Sequence, residues 1–260
     1  MPLELVPAPL TDTLLLLAAA FGAGALNAVA GGGSFLTLPA LVWTGVPPVV
    51  ANATGTVALL PGYVASVWGQ RQDVQAPPNL GLWAVALLSL LGGALGAGLL
   101  LLTPNATFAR VVPWLLLAAT ALFAFGPQLR QWASGTAGAH RPASGWRMGV
   151  GLLAVGVYGG YFNGGLGILL LAFWSLCGAL SLHQMNALKN AISALLAAIA
   201  VAVYAAGGVV EWPQALWMML AATAGGYGGA KLARRIPAPW LRAGIVLTGL
   251  VMAALFFART

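Results

Sequence analysis

An all-α, polytopic transmembrane bundle of two inverted repeats is the fold class this sequence predicts, each repeat holding a broken or re-entrant helix hairpin plus three spanning helices. Three observations predict it. Side chains are 60% hydrophobic and only 6% charged, far from the roughly 25% charged of soluble chains. Ten apolar segments fall five to a half, and the shortest of each half sits beside a glycine cluster at Gly31-Gly-Gly33 and Gly164-Gly-Leu-Gly167.

The segments run at about 13–29, 34–46, 52–69, 80–102 and 108–126, then 147–163, 166–180, 186–206, 213–232 and 240–258. The first is not read as a secretory leader, because Glu4 and Asp12 precede or open it and no Lys or Arg does. Segments 34–46 and 166–180 are short against the roughly 20 residues that cross a bilayer, so they read as half-helices ending inside the protein. Breaker chemistry separates the others: Val46-Pro-Pro, Gln70 to Pro78, Thr103-Pro-Asn, Gly207-Gly, Glu211-Trp-Pro and Arg234 to Pro239.

Residues roughly 133 to 136 positions apart match in order, which points to duplication. Gly31 and Gly33 meet Gly165 and Gly167, Asn52-Ala53 meets Asn186-Ala187, Gly92-Gly93 meets Gly225-Gly226, and Pro104 meets Pro237. The first repeat is residues 1–131, the linker 132–146 and the second repeat 147–260.

Charge sets the relative orientation. With an odd number of crossings per half, Arg71, Arg130, Arg141, Arg147, Lys231, Arg234, Arg235 and Arg242 share one face and only Arg110 and Arg259 the other. Four crossings per half would split them five to five. The eight-to-two split puts the linker in the cytoplasm and both termini outside.

The net charge of +7 serves this topology rather than nucleic acid, since no soluble domain is long enough to gather it into a patch. Cys177 is single, and His140 and His183 are the two imidazoles. No disulfide, metal centre or cofactor is expected. His183 reads as an interfacial turn residue and His140 as part of the polar linker. Trp68, Trp83, Trp132, Trp146, Trp212 and Trp240 lie near segment ends, as interfacial anchors do.

The first half carries Gly22-x-Gly24, Gly31-Gly-Gly33, Pro39, Gly45-Val-Pro47 and Ala51-x-Ala-Thr-Gly-Thr56. With its degenerate second copy, this resembles the TauE/SafE family of membrane permeases over about Leu14 to Phe257. The resemblance implies transport of small sulfur-containing anions such as sulfite, thiosulfate, sulfoacetate or other organosulfonates. The second half departs from the pattern: Asn163-Gly-Gly-Leu-Gly167 lacks the triplet, no proline matches Pro39, and Leu188-Lys-Asn190 stands where the first half has Thr54-Gly-Thr56.

A substrate site is expected at the two breaks, where half-helix N-termini aim positive dipole ends at an anion. Its candidate residues are Asn27, Gly31, Gly32, Gly33 and Ser34 at the first break, and Asn163, Gly164 and Gly165 at the second. Asn52, Thr54 and Thr56 open the segment after the first break, as Asn186, Lys189 and Asn190 do after the second. Glycines there admit an anion to backbone N–H groups or let helices pack closely. Ser34 caps its half-helix or touches ligand. The Asn and Thr side chains face ligand or bond between helices, and the two patches are expected to converge. Lys189 neutralises the anion or snorkels to the cytoplasmic surface.

The function expected is a secondary carrier in the plasma or inner membrane, with lipid around it and no nucleic-acid partner. Proton coupling and a homodimer stay open. A channel-like uniporter is the nearest alternative. A membrane-embedded enzyme lacks its paired carboxylates, Ser/His/Asp set or His cluster, so no enzymatic activity is expected.

Overall fold

The computed structural model describes residues 10–29, 32–137, 144–177, 180–229 and 238–259. Among them regular structure is helical throughout, with no strand. The described α-helices are, in the first half, α1 (Leu10–Val29), α2 (Ser34–Trp43), α3 (Pro48–Gln70), α4 (Leu82–Leu102) and α5 (Asn105–Ala137), and in the second α6 (Gly145–Tyr161), α7 (Leu166–Cys177), α8 (Leu182–Ala206), α9 (Trp212–Ala224) and α10 (Ala238–Arg259). Five stretches among the described residues are long and apolar enough to cross a membrane, in α1, α3, α4, α5 and α8. α2 and α7, at 10 and 12 residues, are the two short helices that the sequence predicts.

Local chemistry explains the boundaries. Thr44 closes α2, Gly45 follows at φ +88°, and the Val46 and Gly45 amides donate to Leu41 and Val42 O. This is the paired 6→1 and 5→2 ending that needs a residue in the left-handed region. Pro48 then opens α3 at a position whose amide has no helical partner. The same ending closes α8: Gly208 has φ +67°, and Val209 and Gly208 donate to Tyr204 and Ala205 O. At the front of α8 the Gln184 amide donates to Ser181 Oγ and the Ser181 amide to Gln184 Oε1, a reciprocal cap. Two elements differ from the sequence expectation. α5 runs on to Ala137 because nothing after Pro127 breaks the helix, and α9 gives way at Gly225 to a π turn over Gly225–Gly229.

α4 shows how the bundle is solvated. Leu87, Leu91, Leu95 and Leu99 line its outer face at four-residue spacing, while Ser89, Gly92, Gly93, Gly96 and Ala97 are buried. Large apolar groups outside and small ones inside is the pattern of a helix in lipid, where association depends on close backbone approach. On the buried face Gly92 and Gly96 meet Gly156 and Gly160 of α6, so close that a Cβ on Gly92 would stand 2.9 Å from Gly156 Cα. α1 and α9 meet in the same way through Gly24, Ala222 and Gly225.

The centre of the bundle is the pair α3 and α8, which run antiparallel. Asn190 near the start of α8 donates to Gln70 Oε1 at the end of α3 (3.2 Å), while the Glu211 amide just past α8 donates to Thr54 Oγ1 near the start of α3 (3.1 Å). α5 and α10 are antiparallel too, with Trp114 edge-on to Phe257 at 5.1 Å and Gly249 against Thr120. At one end of the bundle the Gln184 side chain donates to Gln75 Oε1 (2.6 Å), and Gly145 backs onto Asn79. At the other the Val49 amide donates to Asn105 Oδ1 (3.1 Å). Exchange of α1–α5 with α6–α10 carries the main helix pairings into one another: α4 with α6 becomes α9 with α1, α4 with α8 becomes α9 with α3, and α5 with α7 becomes α10 with α2.

Candidate functional site

α6 ends at Tyr161 and α7 begins at Leu166, so four residues of backbone between them must find partners off the helical ladder. Side chains satisfy one carbonyl of this stretch and two more in the last turn of α6. Asn52 Nδ2 donates to Tyr161 O (3.2 Å), the Tyr158 hydroxyl to Gly164 O (2.6 Å), and the Tyr204 hydroxyl to Gly160 O. Gly165 sits at φ +72° with Ala119 against it, a conformation and a space that exclude other residues. The break is therefore braced from α3, α5 and α8 at once.

At the first break, Gly31 lies outside the described residues. Gly33 occupies the N-terminal capping position of α2, and no side chain caps it; Ser34, although buried, does not do so. A Cβ on Gly33 would come to 2.9 Å from Ala23 O and 3.0 Å from Leu59, so close packing of α1 and α3 is what requires that glycine. Gly164 is pressed by the Phe162 ring in the same sense. A Cβ on Gly32 would meet side-chain atoms alone, of Phe35 at 3.2 Å and of Leu26 at 3.7 Å.

The structure brings two of the sequence candidates together across the halves. Asn27, two residues before the end of α1, and Asn163, two residues past the end of α6, both make polar contact with the hydroxyl of Tyr63 on α3. Asn163 is 4% exposed, and the Oδ1 atoms of both asparagines are buried with no hydrogen-bond partner. Tyr63 itself is buried.

The remaining candidates are arranged differently. Asn52 stands beside the second break through its bond to Tyr161 O. Thr56 donates back to Asn52 O one turn earlier (2.8 Å), and Thr54 anchors the start of α9. Asn190 is taken up by Gln70. Asn186 is half-buried on α8. The patches around Asn52 and Asn190 thus lie toward opposite ends of the antiparallel α3–α8 pair and flank the Asn27–Tyr63–Asn163 cluster instead of meeting. The antiparallel course of the two helices explains this: residues the same distance from their starts lie at opposite depths. Lys189 is 8% exposed, so its side chain is within the bundle and not spread over the surface.

Sequence reasoning missed Tyr63, Tyr158 and Tyr204. Tyr63 had a signal, since it follows Asn52 on α3 by three turns of helix and shares its face.

Two glycine-flanked breaks, each preceded by an asparagine, are tied together through one helix. Residues 16–256 match the family of the sulfite exporter TauE/SafE. The chain belongs to the TauE/SafE family. It is 30% identical over 251 residues to a probable membrane transporter protein of Haemophilus influenzae, covering 92% of each chain. To the probable membrane transporter protein YfcA of Escherichia coli K12 it is 27% identical over 237 residues, 89% of this chain and 84% of the relative. No solved structure matches it significantly. This TauE/SafE member is thus a multi-pass membrane protein of a transporter family, and the asparagine cluster lies where its two halves meet.

Proposed function

We propose that this TauE/SafE protein is a secondary transporter for a small sulfur-containing anion, such as sulfite, thiosulfate, sulfoacetate or another organosulfonate, held between two inverted repeats at the paired helix breaks of an inner or plasma membrane protein. The observation that carries the reading is the meeting of Asn27 and Asn163 at Tyr63. Two amides at the broken helices and the phenol of α3 offer uncharged donors to sulfonate oxygens, and such groups hold an anion without trapping it. Lys189, buried in α8, adds a positive charge on the flank.

The inverted relation is supported by helix direction. A two-fold axis along the membrane normal would leave counterpart helices parallel, whereas α3 with α8 and α5 with α10 are antiparallel. Arg71 and Arg147 sit at the end that also holds Gln75 and His183, and Arg110 at the end that holds Asn105 and Glu211. This grouping supports the eight-to-two split, and by the positive-inside rule we assign the first end to the cytoplasm.

The test is thermal unfolding of detergent-purified protein with sulfite, thiosulfate, sulfoacetate, ethanesulfonate, sulfate and acetate, followed by uptake of the binders into proteoliposomes. A ligand present at about 100 times its Kd adds roughly 2.7 kcal/mol, which is a shift of several degrees. Saturable uptake of at least one sulfur anion is expected. If no sulfur anion shifts the transition and acetate does, the substrate class is wrong.

A further inference from the structure

We propose that the site takes its anion together with a group of positive character, an N–H or O–H donor or a small cation, bound by the side-chain oxygens of Asn27 and Asn163. The proposal rests on the transport reading above and adds a requirement to its substrate.

A bare sulfonate offers only acceptors. Asn27 Oδ1 and Asn163 Oδ1 are acceptors as well, both buried and both without a partner, and both belong to side chains in contact with one phenol. That phenol cannot satisfy them. Tyr63 has a single proton, so it serves at most one of two carbonyl oxygens, however the two amides are turned. At least one buried oxygen is therefore left for something else, and buried acceptors in native proteins are nearly always paired. The side-chain donors that reach the second break are engaged with its carbonyls: Tyr158 and Tyr204 donate to Gly164 and Gly160 O, and Asn52 to Tyr161 O. A ligand with no donor would face these oxygens with its own lone pairs. One that carries an amino, hydroxyl or acidic O–H group beside the anion would complete them, and so would a cation bound alongside.

Two sources share this chemistry, and a matched set of ligands separates them. Ethanesulfonate, isethionate and taurine have the same two-carbon sulfonate, ending in methyl, hydroxyl and ammonium. Their affinities would be measured by calorimetry on the full-length protein, in buffers containing sodium, potassium or only N-methylglucamine. The proposal expects isethionate or taurine to bind about tenfold to a hundredfold more tightly than ethanesulfonate in N-methylglucamine, with the gap collapsing in Asn163→Leu. It is equally upheld if ethanesulfonate gains that factor on addition of sodium or potassium, which identifies a co-bound cation as the source. Equal binding of all three sulfonates, unchanged by sodium or potassium, overturns it and leaves the transport reading intact. Failure of every sulfonate and of sulfite in all three buffers overturns both. The ligand comparison in wild-type protein decides the matter even if Asn163→Leu does not fold.

Discussion

Replacing Tyr63 by Phe removes one hydroxyl from between two asparagines and leaves a buried ring of nearly the same shape. Substrate affinity is expected to fall about tenfold with little change in unfolding temperature, read by calorimetry and thermal unfolding on the same preparation. Lys189→Met has a related pair of signatures. Loss of a charge-assisted contact should weaken anion binding by roughly ten- to a hundredfold, while the ligand-free protein should unfold at the same or a higher temperature, since no described carboxylate pairs with this buried cation. Unaltered affinity in well-folded Lys189→Met would remove the residue from the site. Asn27 and Asn163 were legible in the sequence because an amide beside a helix break, repeated at the duplication offset, has no use as bulk. Tyr63 was not, because a single tyrosine in an apolar helix passes for core. Its function depends on which helix ends arrive at its hydroxyl, and that is a tertiary fact.

The seams between helices make their own predictions. Gly96→Leu drives a side chain into the α6 backbone at Val157 and Gly160, and overpacking of this kind costs about 1–3 kcal/mol. Gly98→Ala, two residues along α4 with nothing near its missing Cβ, should be neutral or gain some tenths of a kcal/mol from helix propensity. A comparison of unfolding temperatures for the two variants checks the buried face of α4; equal values would mean α4 is turned otherwise. The breaks need a similar distinction. Gly165→Ala should destabilise whatever the ligand does, because its backbone is left-handed and Ala119 abuts it. Gly32→Ala, whose methyl would meet only side chains, of Phe35 and Leu26, is the substitution that probes anion approach, and reduced uptake at normal stability is expected there. From the sequence alone, glycines needed for ligand and glycines needed for packing look alike, which is why the anion-cradle role was assigned to all of them. Gly33, Gly164 and Gly165 are each accounted for by a neighbour or a backbone angle.

At the scale of the whole molecule the topology is directly testable. On a Cys177-free background, cysteines at Ala76 and His183 should be labelled only from the cytoplasm, and cysteines at Pro104 and Glu211 only from outside; reversal of either set would refute the orientation. The described spanning helices were legible because bilayer thickness sets their length and proline and glycine punctuate them. Which helix packs on which was not, since small-residue seams look alike, and so the chain's interleaving came only from the structure. α1 and α2 do pack on α3 of their own half, yet the glycine seam of α1 is closed by α9, and that of α6 by α4. For biosynthesis this sets an order. α6 finds α4 already in the membrane when it emerges. α1 emerges first and must wait for Trp212–Ala224, which at ribosomal speeds of 5–20 residues per second means about ten to forty seconds. Throughout that interval the glycine face of α1 lacks its α9 partner, and a nascent chain stalled before α9 should be a ready substrate for membrane quality-control proteases.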